Sequence, residues 1–120
     1  MSTSKSAYKI TEPAEMTVKL PPLDRPPGCF LRDVVLPEYG MTNVADLARR
    51  LGVNRPNLVN VLAGTSAVSR ELAYRLGALL NDHVADLLIA YQHAWDLQSE
   101  APRREAVKAE VERVAAPAAD

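Results

Sequence analysis

Residues 48–64, ARRLGVNRPNLVNVLAG, decide the fold, because they predict two helices joined by one tight turn. Gly52 supplies a turn residue without a Cβ constraint, and Ala48 is small enough to lie where the two helices cross. Apolar side chains occupy the facing positions, which are Leu47, Leu51, Val53, Leu58 and Val61. This spacing predicts a helix-turn-helix over residues 44–63.

The second helix of this motif has an apolar and a polar side. A turn of about 100° per residue from Leu58 places Val61 and Leu62 on the inner side as well. The outer side and the N-terminal end carry Asn54, Arg55, Pro56, Asn57, Val59, Asn60 and Ala63. Arg pairs with guanine and Asn with adenine through two hydrogen bonds, and Val can contact a thymine methyl group. The pattern predicts a helix that reads a DNA major groove; the alternative is that Asn54 only caps the helix and the other side chains are solvated.

The composition excludes several classes of function. The chain has 120 residues, 48% of them hydrophobic, and no apolar run resembles a membrane span or a signal sequence, so we expect one cytoplasmic domain with tails. Cys29 has no partner for a disulfide, and His83 and His93 would be rotated by about 80° on one helix, which predicts no metal site. No nucleophile with a base and no phosphate loop is found, so we expect no catalytic residues, no enzyme activity and no cofactor.

Charge is divided along the chain, although the formal net charge is only -1. Residues 42–75 contain five Arg against Asp46 and Glu71, a net of +3, whereas residues 76–100 contain four acids and no Lys or Arg, a net of -4. A basic motif before an acidic helix favours nucleic-acid contact through the motif, but a solvated helical surface can produce the same division.

Proline and apolar spacing set the boundaries of the N-terminal part. Residues 1–28 contain five of the nine Pro and are expected to form an extended or disordered arm. A short first helix is predicted over residues 29–36, and Pro37 follows its end. Its apolar residues are Phe30 and Val34 on one face, with Leu31 and Val35 beside them.

Capping residues predict where the other helices begin. Asn43 with Asp46 resembles a capping box before the second helix. Asn54 and Ser69 are typical N-caps for a third and a fourth helix, and a fifth helix starts at Asp82. No strand pattern occurs, so the prediction is an all-α domain of five helices.

Three segments follow from these boundaries. Residues 1–28 are the arm, residues 29–98 are the helix-turn-helix domain for DNA binding and dimerisation, and residues 99–120 are a charged, Ala-rich, partly helical tail. Val107, Val111 and Val114 lie at helical spacing in this tail.

Four stretches of the sequence resemble the antitoxins of HigBA toxin-antitoxin systems, within the Xre-like helix-turn-helix family. These stretches are PGCFLRDVVLPEYG (27–40), LARRLGVNRPNLVNVLAG (47–64), VSRELAYRLGALL (68–80) and LIAYQHAWDL (88–97). The resemblance implies a lambda-repressor-like fold and a homodimeric antitoxin that binds double-stranded operator DNA, represses its own operon and inhibits a RelE-like, mRNA-cleaving toxin. A stand-alone regulator without a toxin partner and a helical adaptor without nucleic acid are the alternatives.

The sequence departs from the family pattern in ways that affect operator contacts more than the fold. Val59 stands where the family has Ser, and Val44 stands where a polar residue often opens the second helix. No Lys follows Gly64, so the hydroxyls of Thr65 and Ser66 would have to contact phosphates. The candidate DNA-contacting residues are Asn43, Val44, Asn54, Arg55, Asn57, Val59, Asn60, Thr65 and Ser66.

The fifth helix and the arm are the candidate protein interfaces. The fifth helix has an apolar arc of roughly 180°, which predicts a two-fold dimer unless the whole arc packs in the monomer core. The dimer residues would be Leu88, Tyr91 and Trp95, extended by Val107, Val111 and Val114. The arm contains apolar residues such as Tyr8, Ile10 and Met16 and is expected to contact the toxin, unless it packs on its own domain or is dispensable.

Overall fold

The computed structural model describes residues 18–116, and within that range the chain forms six helices and no strand. The first helix, α1, is a continuous run of three pieces, Pro27–Phe30, Leu31–Val35 and Leu36–Glu38. The others are α2 (Val44–Leu51), α3 (Arg55–Ala63), α4 (Arg70–Leu79), α5 (Asp82–Ser99) and α6 (Ala101–Glu110). The predicted all-α class is confirmed.

The bounds of α1 differ from those of the predicted first helix. It begins at Pro27 rather than at Cys29, because Pro is well tolerated at the first helical position, where the backbone N–H has no partner. It continues through Pro37 to Glu38 rather than ending before that proline. The residues before it form wider π-helical turns, and the run passes through Pro37 although its nitrogen has no N–H to donate.

The same π-helical piece changes which side of α1 is buried. The Leu36 N–H donates to the Leu31 carbonyl, five residues earlier. Leu31, Val35 and Leu36 are therefore buried, whereas Phe30 and Val34 are only half-buried. Of the four residues expected on one apolar face, Leu31 and Val35 are buried and Phe30 packs partly buried against the core, whereas Val34 is half-buried.

One hydrophobic core connects the first five helices. Each helix contributes at least one fully buried leucine: Leu31, Leu47, Leu58, Leu76 and Leu88. α3 packs against α1 and α2, and α5 packs against α4 and α1. α1 therefore contacts both α3, the second helix of the helix-turn-helix, and α5, the acidic helix.

Residues 18–26, here called the N-terminal strap, run along α5 without helix or strand. The Tyr91 hydroxyl donates a hydrogen bond of 2.7 Å to the Arg25 carbonyl, and the Gln98 amide donates one of 3.1 Å to the Leu23 carbonyl. Burial raises the pKa of the Tyr91 phenol, so its hydroxyl keeps the proton that it donates. The described part of the predicted arm thus packs on its own domain; Tyr8, Ile10 and Met16 lie outside the described residues.

The C-terminal helix α6 has no buried residue within the described part of the chain. It ends at Glu110, and Val111 already has extended backbone, with φ -108 and ψ 126. The expectation that Val107, Val111 and Val114 share a helical stripe is therefore wrong, because only Val107 belongs to a helix.

Neither a membrane span nor a metal cluster is found between residues 18 and 116. None of the six helices is both long and apolar enough to cross a bilayer. The side chains in this range bring no three His, Cys, Asp or Glu together at a distance that could hold a metal ion.

α1 and α3 approach each other closely at Gly28. A Cβ atom built at Gly28 would lie 1.8 Å from the Val61 carbonyl oxygen, well inside van der Waals contact. Only a residue without a side chain can occupy this position, since the neighbouring atoms are backbone and cannot rotate away.

We expect Gly28→Ala to lower the free energy of unfolding by about 3 kcal/mol or more, because α1 and α3 must separate to admit the methyl group. Gly40→Ala is the matched control. It adopts a left-handed φ of 69 but has open space around its Cβ, so it should cost about 1 to 2 kcal/mol. Urea unfolding followed by circular dichroism measures both; equal losses would contradict the packing argument.

Candidate nucleic-acid interface

The turn between α2 and α3 is held by two features at the end of α2. Gly52 adopts the left-handed conformation, with φ 71, that ends α2 and redirects the chain. The Arg75 guanidinium of α4 donates a hydrogen bond of 3.0 Å to the Leu51 carbonyl, which has lost its helical partner. The predicted corner at Gly52 is confirmed, and Arg75 fixes it from outside the motif.

The N-terminus of α3 is exposed and capped as predicted. The Asn54 side-chain oxygen accepts a hydrogen bond of 3.1 Å from the Asn57 N–H. This oxygen is therefore already engaged, so Asn54 shapes the helix end in addition to any external contact. Arg55 follows at the first helical position and is exposed, and it forms no ion pair with another residue of the described range.

The two sides of α3 separate as the sequence predicts. Leu58, Val61 and Leu62 are buried in the core. The exposed residues are Arg55, Pro56, Asn57, Val59, Asn60 and Ala63. Val59 is 44% exposed and is thus a large apolar side chain beside polar ones. α3 therefore presents one cationic, two amide and one aliphatic side chain to the outside.

Three of the predicted residues meet around one cleft beside the start of α3. Asn54, Asn57 and Ser66 line it, together with residues from the beginning of α4, and its volume is about 260 Å³. The cleft is open to the outside, so these polar groups can reach a partner that lies across α3 and the loop that follows it.

The loop after α3 is tied to the end of that helix. Gly64 has a φ of 86, and the Thr65 N–H donates to the Asn60 carbonyl. The Thr65 hydroxyl donates a second hydrogen bond of 3.1 Å to the same carbonyl. The expectation that Thr65 donates to a phosphate is therefore unfavourable, because its only hydroxyl proton is used within the chain. Ser66 is exposed.

The start of α2 shows only part of what was predicted. The Asn43 side chain accepts a hydrogen bond of 2.9 Å from the Asp46 N–H, which confirms the N-cap. The capping box is not completed, because the Asp46 carboxylate instead accepts hydrogen bonds from Arg49 and Arg50. Val44 is half-buried against the core, so its contact with a ligand is limited, whereas Asn43 is exposed.

Asp46 controls the charge at this end of the motif. Hydrogen bonds from Arg50 and Arg49 lower the pKa of the Asp46 carboxyl below its usual value, so it stays ionised and offsets part of their charge. Arg55 lacks such a partner in the described range and retains its full positive charge at the N-terminus of α3.

Arg32 is a supporting residue that sequence reasoning missed. Its guanidinium donates a hydrogen bond of 3.1 Å to the Leu62 carbonyl in the last turn of α3, and the Asp33 carboxylate accepts from the same guanidinium at 2.6 and 3.0 Å. The Arg32 hydrogen bond lowers the pKa of the Asp33 carboxyl, and Arg25 also donates to Asp33 at 2.9 Å. No local spacing predicts a contact between residues 30 positions apart.

The predicted dimer residues of α5 face the inside of the monomer. Leu88 and Tyr91 are completely buried, and the Phe30 ring lies 5.6 Å from the Tyr91 ring. Trp95 is half-buried beside a cleft that Pro26 and the loop after α3 also line. An interface centred on Leu88 and Tyr91 is therefore wrong, because α1 and the N-terminal strap already cover that side of α5.

No protein-family model and no curated protein matches the chain. Several solved structures do resemble it. The antitoxin HigA of Pseudomonas aeruginosa, solved with the higBA promoter, is 28% identical with a TM-score of 0.63, and the match covers 75% of this chain and 97% of HigA. The antitoxin GraA is 34% identical with a TM-score of 0.63 and coverages of 75% and 98%.

A third similar structure is that of PA4674 from Pseudomonas aeruginosa in complex with its 18-bp operator DNA. It is 30% identical with a TM-score of 0.61, and the match covers 77% of this chain and 98% of PA4674. At this identity, similarity over nearly the whole length of each relative shows common family membership. The chain belongs to the family of HigA- and GraA-type antitoxins, which are non-enzymatic, DNA-binding regulators.

Proposed function

We propose that this chain is an antitoxin that represses its own operon and neutralises a RelE-like, mRNA-cleaving toxin in the cytoplasm. The observation that carries the DNA-binding part is the exposed side of α3, where Arg55, Asn57 and Asn60 surround Val59. HigA with its promoter and PA4674 with its operator support the same use of the fold.

In this proposal α3 lies in the major groove of operator DNA. Arg55 donates two hydrogen bonds to a guanine, Asn60 pairs with an adenine, and Val59 contacts a thymine methyl group. Asn43, Asn54 and Ser66 lie around the helix and contact the phosphate backbone. Thr65 contributes by holding the loop, since its hydroxyl proton is engaged with the Asn60 carbonyl.

We expect Arg55→Ala and Asn60→Ala each to weaken binding to the specific operator by about 1 to 3 kcal/mol, and binding to random duplex DNA much less. Fluorescence anisotropy with the promoter of the chain's own operon measures both. Arg113→Ala, in the C-terminal tail, removes the same charge outside the motif and serves as the control. Equal losses on specific and random DNA would refute base reading by α3.

A single domain offers few unpaired cations to the phosphate backbone, because Asp46 offsets Arg49 and Arg50. Useful affinity therefore requires two domains on an inverted repeat. We place the dimer contact at the C-terminal half of α5, where Leu97 is 49% exposed. This position replaces the centre at Leu88 and Tyr91, which the monomer buries.

We expect the purified protein to sediment as a dimer at micromolar concentration and Leu97→Asp to shift it toward the monomer. The cause is that a carboxylate in an apolar contact must be desolvated without a partner. Tyr74→Asp, an equally exposed position on α4, is the matched control and should leave the dimer intact. A monomer in the unmodified protein, or equal behaviour of both variants, would contradict this placement.

The toxin contact is assigned to the N-terminal end of the chain, beside α1. The N-terminal strap is held on α5 through the Arg25 and Leu23 carbonyls, which accept hydrogen bonds from Tyr91 and Gln98. Toxin binding there leaves the DNA-reading side of α3 free, so one molecule can neutralise and repress together.

We expect deletion of residues 1–17 to weaken toxin neutralisation while operator affinity stays within about twofold of the full chain. This variant retains the N-terminal strap, residues 18–26, so these residues still pack on α5. Co-expression with the toxin gene of the same operon measures neutralisation, and anisotropy measures DNA binding. Full neutralisation by the shortened chain would refute the toxin contact. A neighbouring gene without toxicity would instead identify a stand-alone regulator.

A further inference from the structure

α6 is a helix whose partner is missing from the described chain. It has 10 residues, none of them buried among residues 18–116. A helix of this length without tertiary packing is marginal in water. We propose that α6 docks on the acidic side of α5 of a second copy of this chain. This contact rests on the dimer proposed above and adds a second, electrostatic component to it.

The side of α6 around Val107 carries three cations, Arg103, Arg104 and Lys108, and one acid, Glu110. At about 100° per residue, Val107 lies between Arg103 and Arg104 in projection down the helix, and Lys108 is next to them. Neither Arg103 nor Arg104 forms an ion pair among the described residues. Val107 is 38% exposed, so an aliphatic group and free cations are presented together.

α5 carries the complementary charges along one side, where Ile89 is half-buried against the core. All four of its acidic positions, counting the residue that caps its end, fall within an arc of about 80°. They are Asp82, Asp86, Asp96 and Glu100. None of them forms an ion pair within residues 18–116, and no Lys or Arg occurs between residues 76 and 100. Ile89 lies in the same arc, between the acidic residues.

A groove beside Ile89 provides the space for the central residue of α6. Val18, Asp86, Ile89 and Ala90 line it, and its volume is about 220 Å³, enough for an aliphatic side chain. Its walls are apolar except for Asp86. Val107 of the partner copy fills this groove, and its flanking arginines then lie near the carboxylates of α5.

Charge complementarity identifies a second copy as the occupant. The cations of α6 and the acids of α5 occur in the same chain, so two copies can exchange the contact symmetrically and make it twice. Both unpaired arginines of α6 precede Val107, whereas acidic residues lie on both sides of Ile89, so the arginines can face carboxylates in either direction of the helix. About 21 Å of α5, from Asp82 to Asp96, faces about 15 Å of α6.

Charge reversal tests the contact in the full-length protein. Arg103→Glu with Arg104→Glu should weaken self-association by about 10- to 100-fold, because ion pairs are lost at both symmetric contacts. Asp82→Lys with Asp86→Lys should weaken it equally. The two variants mixed, or all four substitutions in one chain, should restore association in sedimentation equilibrium. High NaCl should weaken the unmodified dimer and the four-substitution dimer alike.

The controls separate this contact from the proposed function. Circular dichroism melts must show that each variant stays folded, and Glu105→Arg reverses a charge of α6 on the side away from Val107. Unchanged self-association of the variant with Arg103→Glu and Arg104→Glu would refute the contact. The effect of Arg55→Ala on operator binding tests the proposed function separately. Loss of DNA or toxin binding without a change in self-association would also refute it and assign α6 to that partner. If charge reversal in α6 lowered helix stability at concentrations where the protein is monomeric, α6 would instead pack on its own chain, and the contact with a second copy would be refuted.

Discussion

The close approach of Gly28 to the Val61 carbonyl is the constraint on which the rest of the structure depends. It lets α3 rest directly on the backbone of α1, with no side chain between the two. Arg32 strengthens the same contact one turn later, where it donates to the Leu62 carbonyl. α3 is therefore supported on its inner side by main-chain atoms and by the core. The side chains on its outer side do not pack in the core. A helix that must hold polar groups against a rigid double helix benefits from such a support, since a small displacement would misalign both Arg55 and Asn60.

The molecule divides its charge between two surfaces that α1 joins. α3 faces outward with an unpaired Arg55, while Asp46 offsets the nearby arginines of α2. α5 carries three acids and ends at a fourth, Glu100, with no Lys or Arg, and its inner side is covered by α1 and the N-terminal strap. A polyanion such as DNA is attracted to the outer side of α3 and repelled by the acidic side of α5. DNA and protein partners are therefore directed to different sides. In the function proposed above, this separation lets one small domain bind an operator and a protein together.

The sequence predicted those features that depend on neighbours along the chain. The Asn54 and Ser69 caps, the turn at Gly52 and the inner position of Leu58 are all local consequences of backbone geometry, and the structure confirms them. The burial of Leu88 and Tyr91 could not be predicted, because an apolar helix face does not indicate whether a second molecule or the chain's own strap covers it. The π-helical turn in α1 and the contact between Arg32 and Leu62 depend on tertiary packing, which residue spacing does not report. The family resemblance identified the fold and the motif, but it did not indicate that the N-terminal strap packs on α5.

We propose that α3, supported by α1, is the surface that meets operator DNA. The most direct measurement is the change of backbone amide chemical shifts when a duplex of the chain's own promoter is added to the isotope-labelled protein. We expect the largest shifts between Asn54 and Asn60 and at Ser66, smaller shifts at Asn43, and almost none along the acidic side of α5. Shifts concentrated on α5 or α6, with α3 unchanged, would contradict it.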